Sequence, residues 1–368
     1  MTDTYSAAVP LSQRAYYRPN ETVDFNISAG AGRAILAGSI RLCGKVIFTP
    51  DYTIPVPLGE AQGTNNIFLD GMVGAHGFFR QMVVSTANQG VLQNMQDYPR
   101  AIADMKNATK TRDMALNQDQ RALCTGYDAY SCNIIGASYQ AQSATDPQNL
   151  SFCIDPEICI NRSSATNISF TKTGDVKLNL ILNSPAGCMY GPNTGAPPAP
   201  ALTPTGGYVL TNLEIQYRTA VDSTPEAPVN MLTMATVKAI ASSSLSAFSI
   251  MSPIPTYSMS MNFIAVANEN SRATNSLALE SVPSVSRVEF TFQDTNNNII
   301  QYPLENVAEY YKFWKDSYGS SRAVTDVGTV LGVAYDQVLS NTKFNVVIQS
   351  ALANPTSVYF IFKGRMTI

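Results

Sequence analysis

A single histidine bounds most of the chemistry open to this 368-residue chain. His76 stands in GAHGFFR, just ahead of an apolar strand-like run. As a general base it would be the one centre around which a Ser-His-Asp or Cys-His arrangement could form, and zinc sites built on two or more histidines are excluded. It reads as a turn or packing histidine. The glycines at 30, 32 and 38 in GAGRAILAG invite comparison with a phosphate loop, but the G-x-G-x-x-G spacing fails and there is no GK[ST]. The residues after them alternate like a strand, whereas a phosphate cradle needs the N–H groups of an opening helix. These glycines therefore read as a strand connection.

Two carboxylates, Asp155 and Glu157, would share one face of a strand, and glycosidases place such a pair about 5–10 Å apart. Pro156 between them predicts a bend instead. The six cysteines, Cys43, Cys124, Cys132, Cys153, Cys159 and Cys188, are irregularly spaced and form no C-x-x-C pair of the zinc or redox type. They read as buried thiols, with Cys153/Cys159 and Cys124/Cys132 near enough in sequence to be the candidate disulfides. Aromatic clusters at Tyr16-Tyr17, Phe78-Phe79 and Tyr310 to Trp314 could stack on sugars or bases. Without a basic stripe beside them, core packing and subunit contacts explain them better. No catalytic residue, metal ligand or cofactor-binding residue is expected, and the chain is not expected to be an enzyme. The N-x-[ST] sequons at Asn20, Asn107, Asn161 and Asn167 are what an Asn- and Thr-rich chain contains by chance.

The composition agrees with a structural role. Hydrophobic residues make up 45% and charged residues 14% of the chain, against about 25% charged in an average soluble domain. So polar a surface built with so little charge repels its neighbours weakly, which suits burial in an assembly. The net charge is −3 and the pI about 5.3. Direct, sequence-specific nucleic-acid binding is not expected, because it needs clustered Lys and Arg. The opening MTDTYSAAVPLSQRAYYRPN lacks a basic and then apolar leader, so no signal peptide is expected, and synthesis in a cytosol is. No apolar run of about 18 residues is present for a spanning helix.

The elements that would position these residues are strands almost throughout. Apolar residues alternate with polar ones at Val23, Phe25 and Ile27; at Leu178, Leu180 and Leu182; at Leu213, Ile215 and Tyr217; at Val288, Phe290 and Phe292; and at Phe344, Val346 and Ile348. Turn clusters such as Gly63-Thr64-Asn65-Asn66, Asn88-Gln89-Gly90 and Asn296-Asn297-Asn298 separate them. Many short strands with frequent turns predict a sandwich or barrel. The chain is long enough for two units. The break GPNTGAPPAPALTPTGG, Gly191 to Gly207, predicts the boundary, with a new strand from Tyr208 to Thr219 opening the second unit. Val358 to Phe362 reads as a strand too apolar to be a loose tail.

One pattern occurs twice. A strand at Gln81 to Ser85, an Asn-containing turn, a short apolar pair and Tyr98-Pro99 lead to AIADMKNATK. A strand at Arg287 to Phe292, an Asn-rich turn, Ile299-Ile300 and Tyr302-Pro303 lead to NVAEYYKFWKDSYG. Each proline is placed to help open a helix, with Asn306 and Glu309 resembling a capping box. Val307, Tyr310 and Trp314 would share one face of the second helix. The two Tyr-Pro pairs, at 98 and 302, lie 204 residues apart, a repeat of about half the chain.

These stretches resemble the double-jelly-roll major capsid proteins of icosahedral DNA viruses, the lineage of adenovirus hexon, virophage, polinton-like and tailless-phage capsid proteins. GTNNIFLDGMVGAHGFFRQMVVSTANQGVLQNMQDYP looks like the strand, turn, return strand and flanking helix of a first barrel. LSFCIDPEICINRSSATNISFTKTGDVKLNLILN is similar to its closing strands, and GGYVLTNLEIQYRTAV to the opening strand of the second. The resemblance implies an all-β fold of two tandem eight-stranded antiparallel jelly rolls, each with a short flanking helix, and short tower loops. It divides the chain into an N-terminal arm (1–19), a first jelly roll (20–190), a linker (191–206) and a second jelly roll (207–368). It further implies a major capsid protein residing in the virion as pseudo-hexagonal homotrimers. The partners implied are neighbouring capsomers, penton and minor capsid proteins, and an internal membrane reached by the arm. The alternative is a glycan- or receptor-binding β-sandwich of the virion, such as a minor capsid, penton or fibre-like protein.

Overall fold

The computed structural model describes residues 3–30, 32–48, 68–69, 73–109, 133–134, 149–188, 208–225, 227–241, 245–251, 260–268, 285–293, 299–304, 330–334, 343–350 and 356–368. Each alternating segment of the sequence is a strand. The first half contains β1 (Thr4–Ala8), β2 (Thr22–Ile27), β3 (Arg33–Leu36), β4 (Arg41–Phe48) and β5 (Phe68–Leu69). A 3-10 turn at Gly74–Phe78 leads to β6 (Phe79–Thr86) and β7 (Gly90–Met95), and then to helix α1 (Tyr98–Thr109). After these come β8 (Asn133–Ile134), β9 (Asn149–Ile154), β10 (Asn167–Ser169), β11 (Val176–Leu182) and β12 (Tyr208–Val221). The second half runs β13 (Asn230–Ala241), β14 (Leu245–Met251), β15 (Ser260–Asn268), β16 (Val285–Gln293), β17 (Ile299–Leu304), β18 (Val330–Ala334), β19 (Lys343–Ser350) and β20 (Thr356–Thr367).

The pairing order identifies two jelly rolls. In the second half, the eight strands β13 to β20 form one sheet ordered β13-β20-β15-β18 and another ordered β14-β19-β16-β17. Counted along the chain, these are the first, eighth, third and sixth strands facing the second, seventh, fourth and fifth, the jelly-roll order. In the first half, β1-β12-β4-β9 and β2-β11-β6-β7 repeat that order, with β3 and β10 added beside β12. The two-residue pair β5 and β8 joins the segments that come after β4 and α1. Alternation does the rest: Val23, Phe25 and Ile27 of β2 and Leu178, Leu180 and Leu182 of β11 face inward to the core of the first barrel. The glycines at 30, 32 and 38 all have positive φ and turn the chain into and out of β3.

The pairing moves two boundaries. Tyr208–Val221 does not open the second barrel. It is the eighth strand of the first, hydrogen-bonded to β4 between Tyr208 and Gln216, and also to β1 and β3. The passage between barrels is therefore the segment from Asp222 to Val229, between β12 and β13. A Pro- and Gly-rich composition disfavours helix and sheet, and such a stretch can occur inside a domain as readily as between two. The N-terminal arm is likewise not a free arm from Asp3 onward. β1 pairs with β12 over five residues, Leu11 N–H bonds Asp24 O at 2.8 Å, and Tyr17 and Leu210 exchange backbone hydrogen bonds of 2.9 Å in both directions. The unpaired edge of β12 requires a strand, and the first residues supply it.

The repeated pattern falls at equivalent places. β6-β7 and β16-β17 are the fourth and fifth strands of their barrels. Tyr98-Pro99 opens α1 as expected. Tyr302-Pro303 instead lies within β17, opposite Phe290 and Glu289; among the described residues β17 is the outermost strand of its sheet, where a missing N–H is tolerated. The helix expected over Asn306 to Gly319 and the linker 191–206 lie outside the described residues.

Candidate functional site

The residues singled out for chemistry are dispersed and occupied. His76 is buried in the 3-10 turn, with Nδ1 2.8 Å from the hydroxyl of Tyr98. That hydroxyl oxygen accepts the N–H of Glu157 at 3.2 Å, which leaves its hydrogen for His76. Burial pushes the Tyr98 phenol well above its usual range, so the donor is retained. The carboxylates diverge at the bend of Pro156. Asp155 pairs with Arg41 on the exposed face, while Glu157 turns inward and takes both Arg162 Nε, at 2.6 Å, and Arg162 Nη2. They form two separate ion pairs.

Three of the four described aromatics of these clusters, Phe78, Phe79 and Tyr17, are core. Phe78 and Phe79 are fully buried, and Phe78 lies 4.8 Å from Tyr208, centroid to centroid. Tyr17 is buried and Tyr16 exposed; Tyr310 to Trp314 lie outside the described residues. Cys153 and Cys159 do not meet: Cys159 is buried behind the bend, its thiol pushed up to about 12 by burial. Cys153 faces Cys43 instead. Cys124 and Cys132 lie outside the described residues. Among the described residues no three His, Cys, Asp or Glu side chains gather in a way that could hold a metal ion.

What the fold does assemble is a seam between the barrels. β7, the outer strand of its sheet in the first barrel, runs parallel to β13, with Asn94 opposite Ala235 and Met95 opposite Thr236. One eight-stranded sheet, β18-β15-β20-β13-β7-β6-β11-β2, thereby passes through both barrels. Thr233 Oγ1 donates to Leu92 O at 2.7 Å and locks the register. Beside it, α1 packs on β6 and the 3-10 turn and reaches β20 through Arg100. The Arg100 guanidinium carbon sits 5.0 Å from the ring centroid of Tyr359, and Lys238 Nζ 5.5 Å from the same centroid. β20 is buried from Val358 to Gly364, on both faces. Phe360 meets Phe248 across the second barrel, whereas Tyr359 and Ile361 join the apolar cluster that includes Tyr98, Ala101 and Ile102 of α1.

A second line of contacts runs along the start of β13. Leu232 N–H bonds Arg162 O at 3.1 Å, and Ser164 N–H bonds Asn230 O at 2.9 Å. Lys172 Nζ reaches Ala227 O at 2.7 Å and Ile368 O at 3.1 Å. Gln93 links the seam to the bend after β9: its Nε2 donates to Glu157 O at 2.8 Å and its Oε1 accepts from Cys159 N at 2.6 Å. The arrangement fuses two barrels into one body.

Solved structures share the whole architecture. The Faustovirus major capsid protein matches with a TM-score of 0.61 over 100% of this chain and 90% of its own, at 11% identity. PBCV-1 VP54, as fitted into a cryo-EM reconstruction of the virophage Sputnik, matches at 0.57 over 100% and 95%, at 8% identity. The mavirus major capsid protein gives 0.55 over 99% and 90%, at 10% identity. This chain has the double-jelly-roll fold. No family model matches the sequence, and no curated protein does. A double jelly roll tolerates such divergence because its strand order is set by alternation and pairing, which many sequences satisfy.

Sequence reasoning missed Gln93, Thr233 and Arg100, the polar residues of the seam. The available signal was β20 itself: the continuous apolar run Val358 to Phe362 calls for burial on both faces, hence a second layer beyond its own barrel.

Proposed function

We propose that the chain is the major capsid protein of an icosahedral DNA virus, a non-enzymatic subunit made in the host cytosol and residing in the virion shell. The observation that carries this is the pair of jelly rolls with the same strand order, fused edge to edge in one chain. Three copies would present six barrels, enough to give a trimer a pseudo-hexagonal outline and let it tile a facet beside neighbouring capsomers. The sparse charge of the surface supports close packing of copies. Penton and minor capsid proteins and an internal membrane are the further partners in this reading. Tyr5, Leu11 and Tyr16, exposed on the N-terminal segment, offer such contacts apolar surface.

The test is the mass and outline of the purified protein. Three chains of 39.7 kDa make about 119 kDa, and negative-stain images of that species should show a hexagonal rim. A stable 39.7 kDa monomer that binds an array of glycans would overturn the capsid reading in favour of a receptor-binding virion protein.

A further inference from the structure

Cys43 and Cys153 stand directly opposite each other on the antiparallel strands β4 and β9. Their sulfur atoms are 3.1 Å apart. Directly opposed residues of an antiparallel pair have Cα atoms about 4.5–5.5 Å apart, within the span a disulfide accepts, so closing the bond needs little backbone movement. Both side chains are half-buried, on the outward face of the sheet that also carries Arg41, Lys45 and Asp155. A small reagent can reach them there. Cys159 and Cys188 are buried away from this face, the latter with its thiol on Ser184 O at 3.3 Å.

We infer that Cys43 and Cys153 are a redox modification site, closed by a small-molecule disulfide into a cross-strand bond that pins β9 to the first barrel. β9 is the outermost strand of its sheet, with β4 its one strand partner among the described residues. Outer strands open first in local unfolding, and the two cysteines are 110 residues apart in sequence, a long loop to close. In the reaction the Cys153 thiolate attacks one sulfur of the reagent, breaking its S–S bond and releasing one thiolate. The Cys43 thiolate then attacks the Cys153 sulfur of the mixed disulfide and releases the second. Two protein sulfurs are oxidised, the reagent is reduced to two thiols, and the two cysteine protons end on them. Burial, and after it the neighbouring Cys153, pushes the Cys43 thiol up to about 12. Cys43 is thus poorly suited to begin the exchange, and it resolves the mixed disulfide once Cys153 holds it close.

The experiment treats the full chain with oxidised glutathione or with a reductant, maps the peptides without reduction, and records thermal unfolding of each sample. The expected result is a Cys43–Cys153 linked peptide in the oxidised sample and a rise in Tm of about 4 °C or more. Cys153→Ser should abolish the rise, while Cys188→Ser should keep it. Oxidised protein that lacks the linked peptide, joins either cysteine to another partner, or carries the bond without a rise in Tm overturns the inference. The peptide map uses the unaltered chain, so it decides the matter even where a variant folds poorly.

Discussion

A buried amide at position 93 holds the chain where it leaves β9. Gln93 satisfies the carbonyl of Glu157 and the N–H of Cys159 together, both in a segment that belongs to no strand. Replacing it by leucine would keep the volume and leave two buried backbone groups without partners, each costing about 1–3 kcal/mol. Gln93→Leu should therefore lower stability by about 2–4 kcal/mol, read as a fall in the urea midpoint with an unchanged slope. A loss below about 0.5 kcal/mol would mean that both groups find other partners. At this scale the sequence was informative about Asp155 and Glu157: the proline between them predicts a bend, and the two carboxylates go to different arginines, Arg41 and Arg162. It could not reveal Gln93 or the Cys43–Cys153 pair, because those meetings depend on strand register across dozens of intervening residues.

Individual strands were legible because each has one wet and one dry face, and alternation records that directly. Assigning them to barrels was not, since composition alone does not say which edge a strand seeks. The first residues show the difference. Their sequence looks like a loose arm, yet β1 closes the exposed edge of β12, Arg218 pairs with Asp3, and the Arg218 guanidinium sits 5.4 Å from the Tyr5 ring centroid. Deleting residues 1–8 would open the edge of β12 along Ile215 to Thr219 and uncover part of the first barrel. A truncated chain should lose about 2 kcal/mol or more of stability and aggregate through the freed edge. Thermal melts and light scattering of the two forms check this. Equal melting and scattering would mean that β1 is dispensable.

At the scale of the whole molecule, the seam decides whether the chain behaves as one body or as two domains on a short connection. The passage from Asp222 to Val229 is short, but a short connection alone leaves domains free to unfold separately. Here the barrels share a sheet across β7 and β13, and the apolar cluster of the first barrel continues into Tyr359, Ile361, Met231 and Met234 of the second. Continuous burial of that kind makes unfolding of one barrel expose the flank of the other, so the two should melt in a single transition. Tyr359 is the side chain to change, because Arg100 from the first barrel and Lys238 from the second both face its ring. Leucine in its place keeps an apolar contact and removes the attraction of the ring for the cations, worth roughly 0.5–2 kcal/mol for each. Calorimetry of the unaltered chain should show one peak. Tyr359→Leu should lower it and broaden or split it as the barrels begin to unfold independently. Two resolved peaks in the unaltered chain would show that the shared sheet does not couple the unfolding of the two barrels.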